Sequence, residues 1–320
     1  MMEKQRFSFI IPVLNGEKYI RQCLESILLE MDRTCDEIIV VDNGSSDSTI
    51  MIVNEYPNVK ILQLPTITIA AMRNAGVKSA VGDCFAFIDS DCTISPGWRQ
   101  SALDVFKDDM VGATGSHYEI PDNSNWIVKA WSSNRNKSKT IVKWINTCNL
   151  VIRRSVFERI GGFNDKLTTD EDYDIGLRIC ESGFLMIEDP LIKIVHYKNP
   201  DSISKFYRRE RWYATSMLST IGRKRFDRPL VMTLLFMVLL LAFAISIPIS
   251  CYDLKYLFVS IVLMIGLLAA TVLNRAIKYH NIHYFFQLGY LFVIYYSART
   301  VTILEEVIRK IGIISPVSRK

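Results

Sequence analysis

Asp89 and Asp91 stand two positions apart directly after the apolar run Cys84, Phe85, Ala86, Phe87 and Ile88, a composition that predicts a buried strand ending in a pair of carboxylates. Side chains at i and i+2 of extended chain point the same way. Both acids can therefore address one divalent cation, or the ribose and phosphates of a nucleotide beside it. An Asp-x-Asp triplet on its own also arises as a solvated turn, so the surrounding sequence must decide. A second acidic group follows Thr169: Asp170, Glu171, Asp172 and Asp174 open a predicted helix that ends near Gly183. The helix dipole favours acids in a first turn, but capping needs one acid and not four. A carboxylate at a helix start is expected to stay ionised at neutral pH, and can then act as a general base toward a hydroxyl within reach.

The elements that must position these acids alternate. Short β-rich runs at residues 7–12, 37–41, 59–64 and 84–88 are separated by helical patterns. In the first helix Ile20, Cys23, Leu24, Ile27, Leu28 and Met31 share one face; Asp47 is placed to cap a second helix and Thr68 to open a third. This order predicts an α/β fold with a doubly wound, mostly parallel sheet, whose ligands sit at the carboxyl ends of the strands. Three polar loops then share one sheet edge: residues 12–17 with Pro12, Asn15 and Glu17, residues 42–47 opening on Asp42, and Asp89, Ser90 and Asp91. No G-x-G-x-x-G follows the first strand and no G-x-x-x-x-G-K-[ST] occurs. Both absences count against a dinucleotide oxidoreductase and a P-loop NTPase. What remains is a nucleotide site built from carboxylates and amides. Residues 116–143 are less regular, with Trp126 and Trp131 among Lys129, Arg135, Lys137, Lys139 and Lys143, and Trp144 follows; the segment reads equally as an acceptor-binding excursion and as a surface loop. Ser155 and Glu158 form a capping-box signature, and Gly161-Gly162-Phe163 a helix stop.

The chain has 320 residues, 49% of them hydrophobic, and a mean hydropathy of +0.17. The apolar excess lies in the C-terminal third, where residues 230–249 and 256–273 carry no charge. Each is about long enough to cross a hydrocarbon core of roughly 30 Å as a helix. Between Lys193 and Arg228 ten Lys or Arg stand against three acids, so that flank is expected on the cytoplasmic side, where it also attracts anionic head groups. The basic residues 222–228 before the first span, and Arg275 with Lys278 after the second, predict an out-and-back hairpin. No secretory signal precedes Phe7, so the first 200 residues are expected in the cytoplasm. The domain reading is a cytoplasmic domain over 1–222 and, over 223–320, a membrane region with two or three spans in the cytoplasmic (inner) membrane. The third segment, residues 284–298 extended through Arg299 toward Glu305, either crosses or lies along the interface; Arg309, Lys310, Arg319 and Lys320 prefer the inside and weigh against a crossing. Seven Cys without a C-x-x-C pair fit reduced thiols. The net charge of +5 is modest, and no nucleic-acid partner is expected.

Five signals in order resemble family 2 glycosyltransferases of the GT-A fold, in the bacterial membrane-anchored group, over roughly residues 7–215: the run from Phe9 through Pro12, Asn15 and Glu17; Val40-Val-Asp42 through Asp47; Arg73-Asn74-Ala-Gly76; Phe87-Ile-Asp89-Ser-Asp91; and Glu171-Asp172-Tyr-Asp174. The resemblance implies an inverting hexosyl transfer from a nucleotide-diphosphate sugar. It implies that Pro12, Asn15, Glu17 and Ser90 line the nucleotide pocket, that Asp42 meets the base edge and that Arg73 lies near base or phosphate. Asp89 would lie toward ribose and metal, Asp91 would ligate Mg or Mn, and Asp172 would be the catalytic base with Glu171 beside it. Asp174 is expected to satisfy helix amides or, in exchange with Glu171, to hold the acceptor. His196 matches a late metal-binding histidine. Arg211 and Trp212 resemble the end of the Gln-x-x-Arg-Trp motif of processive synthases, with Arg208 in place of Gln, and would border acceptor or diphosphate; an interfacial helix reads the same residues. Two or three spans are few for a polysaccharide channel, so the expected acceptor is a hydroxyl on a lipid-linked or cell-envelope glycan. The competing readings are a polyprenyl-phosphate glycosyltransferase, whose ionised acceptor needs no base, and an inactive membrane-anchored binding module.

Overall fold

The computed structural model describes residues 5–132, 138–215, 228–279 and 282–310. In chain order the elements are β1 (Phe7–Val13), α1 (Ile20–Glu30), β2 (Glu37–Asp42), α2 (Thr49–Val53), β3 (Val59–Gln63), α3 (Ile69–Lys78), β4 (Cys84–Ile88), β5 (Cys92–Ile94), α4 (Trp98–Val105) and β6 (Val111–Gly115). They continue with α5 (Trp126–Trp131), β7 (Thr140–Val142), β8 (Asn149–Arg153), α6 (Arg154–Ile160), α7 (Glu171–Glu181), β9 (Leu185–Glu188), β10 (Ile194–His196), α8 (Ile203–Tyr213), α9 (Arg228–Ile249), α10 (Leu254–Tyr279) and α11 (Phe285–Lys310). Two compact units result, one of Met1–Asn123 with Arg135–Asn199, the other of Ser124–Asn134 with Pro200–Lys320. This differs from the expected single break after residue 222: α5 and α8 go with the second unit. The excursion at 116–143 is thereby divided, and its Arg135 and Lys137 lie outside the described residues, as do 222–227, Arg319 and Lys320.

The first unit is built on an eight-stranded sheet in the order β3-β2-β1-β4-β8-β6-β9-β7. Strands β3, β2, β1 and β4 run parallel, and β8 joins β4 antiparallel. The four expected strands form within a residue or two of the predicted bounds. Alternation divides their side chains between two cores. Phe9, Ile11, Ile38, Val40, Ala86 and Ile88 face α1 and α4, while Ile10, Ile39, Val41, Phe85 and Phe87 face α3, α6 and α7. Burying one such Phe or Ile contributes about 1.5–3 kcal/mol. In α1 the predicted face is the one buried, with Leu28 and Met31 packed at its edge. Pro12 lacks an N–H to give a ladder, and it stands beyond Ile10, where pairing with β4 has ended and only β2 remains.

Local signals fare unevenly. Thr68 caps α3, its hydroxyl accepting from the Ala71 N–H at 3.2 Å. Asp47 acts next to the start of α2, accepting from the Thr49 N–H at 3.0 Å. The capping box at Ser155 does not form, because β8 runs straight into α6 and the helix opens at Arg154, whose N–H donates to the Asp83 carbonyl at 2.8 Å. Glu158 pairs with Arg154 instead, and Gly161 ends the helix at φ 77° as predicted.

In the second unit α9 and α10 are long and apolar enough to cross a membrane, and most of their residues are not buried within the protein. A core helix of a soluble protein would be mostly buried. Helix α11, the third expected segment, equals α10 in length but buries Leu288, Leu291, Phe292 and Tyr296 within the unit and carries Arg299, Glu305, Glu306 and Arg309.

Gly76 sets how closely α3 lies on the sheet: a Cβ there would come within 2.5 Å of Ile10 Cγ2 and 3.2 Å of Val41 Cγ2. Gly76→Val is expected to lower the unfolding free energy by about 1–3 kcal/mol. A thermal melt of the detergent-solubilised chain checks this, and a melting temperature equal to wild type would contradict it.

Candidate active site

The turn after β4 is held from below. The Asp89 carbonyl accepts from the Cys92 N–H at 3.0 Å and from the Cys23 thiol at 3.6 Å. Cys92 opens β5, which pairs antiparallel with β10 so that His196 lies opposite Cys92. That small ribbon brings His196, a hundred residues downstream, to Asp91: Nε2 stands 3.5 Å from Oδ1, and the Tyr197 N–H holds the Asp91 carbonyl at 2.9 Å. The imidazole lies on the Tyr118 ring at 4.8 Å, and its Nδ1 is buried with no hydrogen-bond partner among the described residues.

Donor atoms of Asp91, Cys92 and His196 all lie within 4.8 Å of one another. Burial pushes the Cys92 thiol well above its ordinary value, which raises the cost of the thiolate that a metal would require. What it leaves is a carboxylate and an imidazole, an oxygen and nitrogen set that suits a hard divalent cation. The Asp91 carboxyl is itself raised, chiefly by burial and further by Asp89, with His196 and Lys198 opposing. Converging acids that repel each other while facing a histidine fit a bound cation.

Arg73 joins this corner to the second acidic group. Its guanidinium, with a side chain only 2% exposed, donates from Nη2 to Asp89 Oδ1 at 2.9 Å and from Nη1 to Glu171 Oε1 at 2.7 Å. Burial alone would lower the Arg73 pKa, but Asp89 and Glu171 together raise it, so the charge is secure. The ring of Phe163 lies under the guanidinium at 5.7 Å. Asn74, the next residue, ties α3 to the turn after α6, accepting from the Phe163 N–H at 2.9 Å and donating to its carbonyl at 2.8 Å.

Asp172 lies one residue beyond Glu171 in the first turn of α7. Its Oδ1 accepts from the Tyr173 N–H at 2.7 Å, and Asn146 donates to its Oδ2 at 3.4 Å. The expectation that the helix start keeps it ionised is overturned. Burial, then the charges of Glu171 and Asp170, push its carboxyl up to about 8, against the opposing effects of Arg73 and Asn146. Asp174 Oδ2 takes Arg178 Nε at 2.9 Å and Nη2 at 2.8 Å. Arg178 then reaches the carbonyls of Ile160 and Gly162, at 2.9 and 2.7 Å, and fixes α7 against the end of α6.

The loops after β1 and β2 form one network. Asn15, at φ 51°, accepts from the Ser46 N–H at 2.9 Å, and Glu17 accepts from the Ser48 N–H at 3.0 Å. The Asp42 carboxylate, buried, takes the amides of Gly44 and Ser45, both at 3.1 Å. Pro12 is buried in β1, and Ser90 approaches Gly16, where a Cβ would meet its Oγ at 3.4 Å. Among the described residues, Asn15 and Asp170 are the non-glycines with positive φ, and both stand in loops bordering the candidate site. Arg211 and Trp212 belong to the second unit, where Arg211 pairs with Glu305 and Trp212 lies against Tyr213 at 5.0 Å. Sequence reasoning missed Asn146 and the 2.8 Å pair of His117 Nδ1 with Glu188. An asparagine before a strand and a lone histidine carry no spacing signal.

The profile described as Glycosyl transferase family 2 matches residues 8–161. Over that segment the chain is a member of glycosyl transferase family 2. Glycosyltransferase AglE of Haloferax volcanii is 29% identical over 195 residues, covering 55% of this chain and 62% of that protein. A chondroitin synthase of Pasteurella multocida is 28% identical over 196 residues, 55% of this chain and 19% of that one. The chain spans 62%, 30% and 42% of the lengths of three curated relatives. The fold is that of a Pyrobaculum calidifontis mannosyltransferase solved with GDP-Man and Mn2+ (TM-score 0.59, 18% identity, 94% of this chain and 88% of that one). It is also that of S. aureus TarS 1-349 solved with UDP-GlcNAc (TM-score 0.53, 19% identity, 94% and 91%).

A raised carboxyl has a stability consequence. From about pH 4 up to about 8 the folded chain keeps a proton on Asp172 that the unfolded chain releases, so wild-type stability falls as pH rises through that window. Asp172→Asn, neutral throughout, is expected to melt above wild type by a margin that widens to pH 8 and then levels. An equal or lower melting temperature at pH 8 would contradict the burial argument.

Proposed function

We propose that the chain is an inverting glycosyltransferase that moves a sugar from a nucleotide-diphosphate donor to a hydroxyl of a lipid-linked or cell-envelope glycan, at the cytoplasmic face of the membrane. The observation that carries this reading is the linkage of Asp89 to Glu171 through Arg73, with Asp172 buried beside Glu171 and Asp91 facing His196. Family membership and the GT-A fold support the donor class. A chondroitin synthase among the relatives supports a glycan as the acceptor class.

Asp172 accepts the proton of the acceptor hydroxyl. A carboxyl near 8 is a stronger base, once ionised, than an ordinary aspartate, and Asn146 holds the oxygen that receives the proton. Attack on the face opposite the leaving group inverts the sugar in one displacement. The tied loops carrying Asn15, Glu17 and Asp42 give the nucleotide a rigid floor, and Arg73 holds the Asp89 carboxylate in place beside it. A divalent cation, magnesium or manganese, would be held by Asp91 and His196 with Asp89 near, and when bound supplies positive charge for a leaving diphosphate. The exposed apolar faces of α9 and α10 support a membrane anchor, and Arg275 with Lys278 at the end of α10 supports placing that end on the cytoplasmic side.

Purified protein offered UDP-, GDP- and dTDP-sugars with Mn or Mg, read by released nucleotide diphosphate, is expected to consume one donor class and to stop with EDTA. Asp91→Ala should lose about 10²-fold or more in turnover. Turnover that survives EDTA and Asp91→Ala would overturn the cation role, and full transfer to a hydroxyl acceptor by Asp172→Asn would overturn the base.

A further inference from the structure

In the second unit two arginines pair with one buried carboxylate, and a third shares their aromatic surroundings. Glu210 of α8 is 2% exposed, and both its oxygens are taken: Oε1 by Arg209 Nη2 at 3.2 Å, Oε2 by Arg299 of α11 at 2.9 Å from Nη2 and 3.3 Å from Nε. Arg275 of α10 makes no ion pair among the described residues. It donates to the Trp131 carbonyl and lies over the Trp131 ring at 4.3 Å and the Tyr279 ring at 5.1 Å. One aromatic cluster joins all three guanidiniums. Trp131 meets Phe206 at 4.7 Å and Tyr295 at 5.7 Å, Arg209 lies over Phe206 at 5.1 Å, and Arg299 over Tyr295 at 4.0 Å.

The Nε atoms of Arg209 and Arg275 are both buried without a hydrogen-bond partner among the described residues. Buried donors of this kind are costly unless an anion meets them. Guanidinium forks on aromatic faces suit phosphate, whose oxygens take paired N–H donors. The position indicates which phosphate. Arg275 comes two residues after the uncharged run at 256–273 of α10, and Trp131, Tyr279 and Tyr295 are ring types favoured at head-group depth.

We propose that Arg209 and Arg275, framed by Trp131, Phe206 and Tyr295, bind the phosphate of a membrane-lipid head group. This rests on the membrane reading of α9 and α10 and is independent of sugar transfer. The test uses full-length protein in phosphate-free detergent, offered phosphatidic acid, diacylglycerol or inorganic phosphate, with retained lipid read by native mass spectrometry. Wild type is expected to retain phosphatidic acid and not diacylglycerol, and a hundredfold excess of inorganic phosphate to displace less than half. Arg209→Gln with Arg275→Gln should cut retention at least tenfold. The charge-keeping pair Arg209→Lys with Arg275→Lys, which loses the forked donors, should retain an amount between wild type and the Gln pair; a melting temperature of the Gln pair equal to wild type separates loss of the site from loss of the fold, and Lys255→Gln at the other end of α10 should change nothing. Unchanged retention in the Gln pair overturns the proposal, as does full displacement by equimolar inorganic phosphate, which identifies a free-phosphate site. Wild type that stays soluble without detergent overturns the membrane reading; wild type that needs detergent yet retains no phosphatidic acid overturns this inference alone.

Discussion

The candidate site depends on one buried cation. Arg73 sits between Asp89, at the end of β4, and Glu171, at the start of α7, residues 82 positions apart with no other charged link among the contacts described. A buried guanidinium in that place is stable only because two carboxylates share it. The arrangement fixes the spacing of the two acidic groups and makes them electrostatically dependent. Asp172 and Asp91, the neighbours outside the bridge, are the acids whose carboxyls burial pushes up. The bridge thus divides four acids into two that share a guanidinium and two whose carboxyls burial raises.

Packing enforces the bridge. Gly76 lets α3 lie against β1 and β2, which brings Arg73 to the sheet edge where β4 ends. Asn74 and Arg178 anchor the turn between α6 and α7 from both sides, so α7 presents Glu171 and Asp172 at a set place. The two-stranded ribbon of β5 and β10 does the same for His196. Loops carry the chemistry, while rigid elements hold the loops.

Much of this was legible in the sequence. Short β-rich runs separated by helical patterns pointed to the parallel strands and hence to the sheet edge where the three polar loops gather; Asp89 and Asp91 stood out by their place after a strand, and Asp172 by the family resemblance. The protonation of Asp172 was not legible, because a helix-start rule knows nothing of burial beside two further acids. Nor was the assignment of α5, whose Trp131 packs with Phe206 and Tyr295 far along the chain. The capping box at Ser155 failed for a related reason: a strand that runs directly into a helix leaves no room for a separate cap.

The claim that Arg73 makes one site of two acidic groups is tested most directly by a double-mutant cycle of Asp89→Asn and Glu171→Gln on kcat/KM for nucleotide-sugar turnover. A shared guanidinium predicts strong non-additivity: each single change leaves Arg73 underpaired, and the double costs much less than the sum, with a coupling of about 1–3 kcal/mol. Additivity to within about 0.5 kcal/mol would mean that the two carboxylates act independently, and would contradict the account.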